Sequence, residues 1–109
     1  MKIKKIKKIT IGDIVWNIKW DKKEDGGEFS YPWGQKKKKP FIRISVVQEK
    51  VNPVSVLSIL IHELKEIIQA EQCVRYKRTD ERDVYEFHYT HKEHTDLCSR
   101  LAGLLSKFI

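Results

Sequence analysis

Residues 52–68 read NPVSVLSILIHELKEII, and at Asn52-Pro53 the spacing of the apolar residues changes from two to between three and four. Asn52 can cap a helix, and proline suits the first helical position, where a backbone N–H has no partner to lose. From there Leu57, Leu60, Ile61, Leu64, Ile67 and Ile68 form a broad apolar stripe, which predicts a helix to about Cys73. The chain before this point has a different period. From Ile9 to Trp20 (ITIGDIVWNIKW) it alternates, with Ile14, Trp16, Ile18 and Trp20 to one side, as in a half-buried strand. Asp25-Gly26-Gly27 is a turn signal, and Phe29, Tyr31 and Trp33 alternate beyond it. Pro32 confines that second segment to an edge or a short strand. The tract QKKKKP (35–40) reads as a solvated loop, and FIRISVV (41–47) as a strand with Ile42, Ile44 and Val46 on one face.

Past the helix come a polar loop (RYKRTDERD, 75–83) and a short extended piece (VYEFHY, 84–89). Thr90 and Glu93 then have capping-box spacing. They open a final helix to about Lys107, with Leu97, Leu101, Leu105 and Phe108 on its buried side. The expectation is one α+β domain over 1–109: a small antiparallel sheet of about three strands, then two packed helices. Residues 1–8 are expected as a basic tail.

A chain of 109 residues supports one core. Its formal charge of +7 is unevenly placed, with 14 Lys/Arg against 6 Asp/Glu in residues 1–50 and 8 against 9 in the remainder. The longest strongly apolar run, Val54 to Ile61, is broken by Ser55 and Ser58 and is too short to span a membrane. No apolar stretch follows MKIKKIKKIT, so export is not expected. Cys73 and Cys98 are too few for a disulfide scaffold and are expected reduced, in the cytoplasm.

The residues with the most chemistry are His62, Glu63 and Glu66. On a helix His62 and Glu66, four apart, project from one face within a turn of each other, a spacing that lets an imidazole and a carboxylate grip one metal ion. The preceding stretch (VSVLSILI) is apolar almost all round the helix, which predicts burial on more than one side, and a buried His–Glu pair needs a partner. The second helix offers further donors. His94 lies near the line of Leu101 and Leu105 and is the preferred third ligand, with His91 in reserve and Cys98, one turn on, as a thiolate competitor. His88 reads as a surface residue.

The pattern resembles the HExxH motif of zincins, with Glu66 in place of the second histidine. The whole layout is similar to minimal zincin-like metallopeptidase proteins of phages, prophages and their hosts: strands, the Gly27-Glu28 turn, the Ile42-Arg43-Ile44 strand, then the HExxE helix and a closing helix. That resemblance implies Zn²⁺, or another divalent transition metal, on His62, Glu66 and His94. It also implies Glu63 as general base. A peptide or protein would then be the substrate, lying along Phe41 to Val47, with His88 or Tyr89 near its oxyanion.

Two other readings stay open. Lys2, Lys4, Lys5, Lys7, Lys8 and Lys36–Lys39, interleaved with Trp16, Trp20, Tyr31 and Trp33, fit a nucleic-acid binder that uses charge and stacking. The same tryptophans could instead form the hot spot of a non-catalytic protein-binding or inhibitor module with a structural metal. Arg43 is the one arginine in the first half, which argues against base-specific readout.

Overall fold

A computed structural model describes residues 2–31, 39–72 and 89–109, together with the backbone of 75–77 and 85–87. Within it the run ITIGDIVWNIKW is two strands. Strand β1 (Lys8–Ile11) and strand β2 (Ile14–Asp21) form a hairpin in which Ile11 faces Ile14 and Ile9 faces Trp16. The turn between them is Gly12-Asp13, and Gly12 sits at φ +60°, a left-handed conformation that suits glycine at the head of a two-residue hairpin turn. A two-residue turn shifts the inward set from odd positions to even ones, so Ile9 and Ile11 share the buried face with Trp16 and Ile18.

Strands β3 (Gly27–Ser30) and β4 (Phe41–Ser45) complete the sheet in the order β1-β2-β4-β3. Strand β4 lies parallel to β2 and antiparallel to β3. The expected antiparallel sheet of about three strands is therefore a mixed sheet of four. The extra strand comes from the Gly12-Asp13 turn, and the mixed character from β4 inserting between β2 and β3.

Arg43 explains how the gap is held. Its guanidinium reaches Asp21 at the end of β2 (3.3 Å), Glu28 on β3 (3.2 Å) and the carbonyl of Asp25 in the connecting turn (3.5 Å). The Asp21 carboxylate also accepts from the backbone N–H groups of Lys23 and Glu24, fixing the turn. Main-chain bonds close the slot: the Ser45 N–H donates to Gly26 O and the Val46 N–H to Asp21 O. The backbone N–H groups of Lys23 and Glu24, aided by the charges of Lys19 and Arg43, hold the Asp21 carboxyl below its ordinary 3.8 despite burial. Burial pulls the other way on Arg43, but the hydrogen bond and charge of Glu28, reinforced by Asp21, raise its affinity for the proton.

One face of the sheet is apolar and covered. Helix α1 (Pro53–Glu71) starts with Pro53 at its first position as expected, although the Asn52 side chain makes no capping bond. It lays Val56, Leu60, Leu64 and Ile67 over Ile42, Ile44, Trp16 and Ile18, all of them buried. Full burial of side chains this size is worth roughly 1.5–3 kcal/mol each, so this layer dominates the stability. Helix α1 ends at Glu71, two residues short of the expected Cys73, which itself lies outside the described residues. The first residues of the loop expected at 75–83 are a strand, β5 (Arg75–Lys77), which pairs antiparallel with β6 (Tyr85–Phe87) inside the extended piece expected at 84–89, as a second, two-stranded sheet.

Helix α2 (His91–Leu105) opens on the capping box read from sequence: Thr90 Oγ1 accepts from the Glu93 N–H, and Glu93 Oε1 accepts from the Thr90 N–H. A 3₁₀ turn, Ser106–Phe108, continues the chain past the helix and buries Phe108 edge-on against Trp20. The α+β class stands, with two helices on a four-stranded sheet. Among the described residues no helix is long and apolar enough to cross a membrane.

The stretch expected as a tail is tied down. Ile3 and Ile9 are buried and Ile6 packs against the core. The Lys4 N–H donates to Phe108 O, the Ile18 N–H to Lys7 O and Trp20 Nε1 to Ile6 O.

Because the folded carboxyl of Asp21 titrates below the unfolded one, its contribution is complete above about pH 4 and is lost as pH falls through the lowered folded value. Asp21→Asn should lower the melting temperature at neutral pH and flatten its fall as the pH drops below the ordinary carboxyl value of 3.8. Thermal melts followed by circular dichroism check this, and parallel curves for the two proteins would remove Asp21 from that role.

Candidate metal centre

Helix geometry alone brings three donors together. His62, Glu63 and Glu66 each offer one ligand atom, and these atoms lie within 4.8 Å of one another. His62 Nε2 stands 3.4 Å from Glu66 Oε2, the one-turn pairing expected from the sequence.

Their exposures differ, and in a way the sequence reading did not anticipate. The His62 side chain is 67% exposed and that of Glu66 19%, whereas Glu63 is buried at 4%. The expected burial of the His62–Glu66 pair is corrected accordingly. Only the sheet-facing side of the amino-terminal half of α1 is covered, and Val54 near its start is exposed. Helix α2 crosses at the other end: Gln72 Nε2 donates to Glu93 O and Asp96 Oδ2, and Arg100 pairs with Glu71.

Glu63 is buried because the sheet comes unusually close. A Cβ on Gly27 would stand 2.6 Å from Ile59 Cγ2, 3.1 Å from Arg43 O and 3.2 Å from Glu63 Cγ. The stem of Glu63 lies on bare β3 backbone, next to the residue that Arg43 ties to the sheet through Glu28. The expected substrate strand changes too. Phe41–Ser45 is interior, paired on both sides, so it has no edge to offer. The strand that ends the sheet beside Glu63 is β3.

The structure does not bring the second helix's histidines to this group. His91 and His94 are exposed in the first turn of α2, which docks on the carboxyl end of α1 through Gln72. Ten residues of helix, about 15 Å, separate His62 from Gln72. His94 was expected on the buried side, but Leu97 is the first residue of α2 to reach the core. Instead His94 stacks on Tyr89 (5.5 Å, 8° between planes), with Nε2 3.8 Å from Cys98 Sγ. Tyr89 is thereby engaged away from Glu63, Cys98 is an exposed free thiol, and His88 lies outside the described residues.

Two of the three tryptophans are described. Trp16 is fully buried against Phe29 and Tyr31, and Trp20 packs on Phe108 with its N–H bonded to Ile6 O. Trp16 has no surface to offer a nucleobase or a partner, Trp20 is half-buried, and Trp33 and Lys36–Lys38 lie outside the described residues. The sequence reading missed the Arg43–Asp21–Glu28 cluster and the role of Gly27. Opposite charges on the outward-facing positions of the strands were the available signal for the first.

Compared with known proteins, the chain matches no family model, no curated protein and no solved structure.

Gly27→Ala should destabilise the fold by about 1–3 kcal/mol, the usual cost of overpacking, because the methyl meets backbone as well as Ile59. Gly103→Ala, in an open stretch of α2, should stabilise it by about 0.5–1 kcal/mol. Urea denaturation of the two variants measures both, and equal effects would show that β3 and α1 are not in close contact at Gly27.

Proposed function

We propose that this chain is a zincin-like metal-binding protein in which His62 and Glu66 hold a divalent ion and Glu63 is the base of a hydrolytic site. The observation that carries this reading is the convergence on one helix of three donor atoms within 4.8 Å of one another, from an exposed His62, a half-buried Glu66 and a buried Glu63. Two ligands each about 2.1 Å from a tetrahedral ion stand about 3.4 Å apart, and the His62–Glu66 separation is 3.4 Å. An imidazole nitrogen and a carboxylate oxygen are both donors that zinc accepts.

A bound ion of this kind supplies Lewis acidity toward a peptide carbonyl. The chain's own residues supply the rest. His62, largely exposed, leaves the outer side of the centre open to solvent and substrate. Glu63, held against β3, takes the proton of an attacking water, and its fixed stem keeps the carboxylate from swinging away. Beside it β3 ends the sheet, and an extended peptide can add to a terminal strand through main-chain hydrogen bonds.

Elemental analysis and calorimetric titration with zinc test the centre. The wild-type chain should take up about one zinc, the occupancy of a single mononuclear centre. His62→Ala and Glu66→Gln should each weaken binding by more than about 10–100-fold, the range typical of losing even an outer-sphere partner. Glu63→Gln should keep the metal and lower hydrolysis of a fluorescent peptide library by about 10²–10⁴-fold. Absence of zinc uptake by the wild-type chain would overturn the reading.

A further inference from the structure

We propose that the docked amino-terminal segment is a binding surface for the phosphate backbone of a nucleic-acid duplex, separate from the candidate metal centre. The segment KIKKIKKI (2–9) places isoleucine at every third position. Ile3 and Ile9 are buried and Ile6 packs on the core, so Lys2, Lys4, Lys5, Lys7 and Lys8 are all turned outward and exposed. The three main-chain and indole bonds to Phe108, Ile18 and Trp20 hold the backbone in place, so these five charges do not belong to a loose tail.

Charge density matches a duplex. Six residue steps span at most about 20–22 Å, so the five lysines stand on average no more than about 5 Å apart along the segment. Each strand of a DNA duplex presents one phosphate per about 3.4 Å of axis. Neighbouring groups extend the positive surface. Lys107 is exposed next to Phe108, to which Lys4 bonds, and Lys50 joins Lys2 and Lys5 around a cleft of about 260 Å³ whose other walls are Ile3, Glu49 and Pro53. Glu49 is the one acid there and is paired with Lys5 at 2.7 Å.

The chemistry selects how a duplex would be held. Lysine ammonium groups act as point charges toward phosphate, without the bidentate fork that reads guanine. Among the described residues Trp16 is buried and Trp20 is half-buried against Phe108, so the lysines of this segment, rather than base stacking on these rings, carry the contact. Binding should therefore be driven by counterion release and be indifferent to sequence.

Fluorescence anisotropy with a mixed-sequence 20-base-pair DNA duplex, about two helical turns, tests this over a range of salt. The wild-type chain should bind with a steep negative slope of log K against log salt. Replacing Lys4, Lys5 and Lys7 together by alanine leaves the isoleucines and main-chain bonds intact, and should reduce that slope by about 2.7, or 0.9 per lost phosphate contact. Affinity at low salt should fall by at least about tenfold. The triple alanine variant of Lys22, Lys23 and Lys92, exposed lysines elsewhere, removes the same charge and should shift the slope by less than about 1. Equal effects of the two triple variants, absence of duplex binding, or tighter binding to phosphatidylserine vesicles than to the duplex would each overturn the proposal.

Discussion

The contact on which the architecture turns is the Arg43 guanidinium inserted among Asp21, Glu28 and the carbonyl of Asp25. Strands β2 and β3 follow one another in sequence, and a tight turn would have paired them directly. The connection is wide instead, and Asp21 fixes its shape by accepting from Lys23 and Glu24 while receiving Arg43 from the strand that fills the gap. Charge and hydrogen bonding here select a topology more than they add stability. A partly exposed ion pair contributes little by itself. Leaving one of these groups alone on the sheet would be costly, and that penalty disfavours the alternative pairing.

Much else follows from that insertion. With β4 inside, β3 becomes the terminal strand, and Gly27 comes to lie under α1. The missing side chain lets the helix approach until Ile59 and Glu63 rest on backbone. Position 63 is consequently buried although it belongs to a helix segment whose neighbours, His62 and Lys65, are exposed. A buried acid with its stem pinned by the sheet, next to an exposed histidine and a half-buried Glu66, differs from three acidic and basic residues on a solvated helix face.

Local physics was legible in the sequence, and tertiary register was not. The change of period at Asn52-Pro53, the capping box at Thr90 and Glu93 and the buried faces of Phe41–Val46 depend on residues a few positions apart. The Gly12-Asp13 turn was also written there. Apolar parity changes from odd (Ile9, Ile11) to even (Ile14, Trp16, Ile18) across it, and a continuous strand cannot change parity without a bulge or a turn. The insertion of β4 was not legible, because it rests on pairs separated by 15 and 22 residues, Glu28–Arg43 and Asp21–Arg43.

The same division runs through the candidate site. His62 and Glu66 meet because of helical spacing alone, and their proximity was readable to within a turn. Whether α2 adds a ligand depends on where it docks. That is fixed by the Gln72 side chain donating to the Glu93 carbonyl and the Asp96 carboxylate, and by Arg100 binding Glu71, polar contacts that no periodicity identifies. Docking at the carboxyl end of α1 leaves His94 to stack on Tyr89 and leaves the outer side of His62 uncovered. The amino-terminal lysines show the converse. Their charge alone suggested a solvated tail, but isoleucine at every third residue is itself a burial pattern: it fastens one side of the segment to the core and turns its lysines outward.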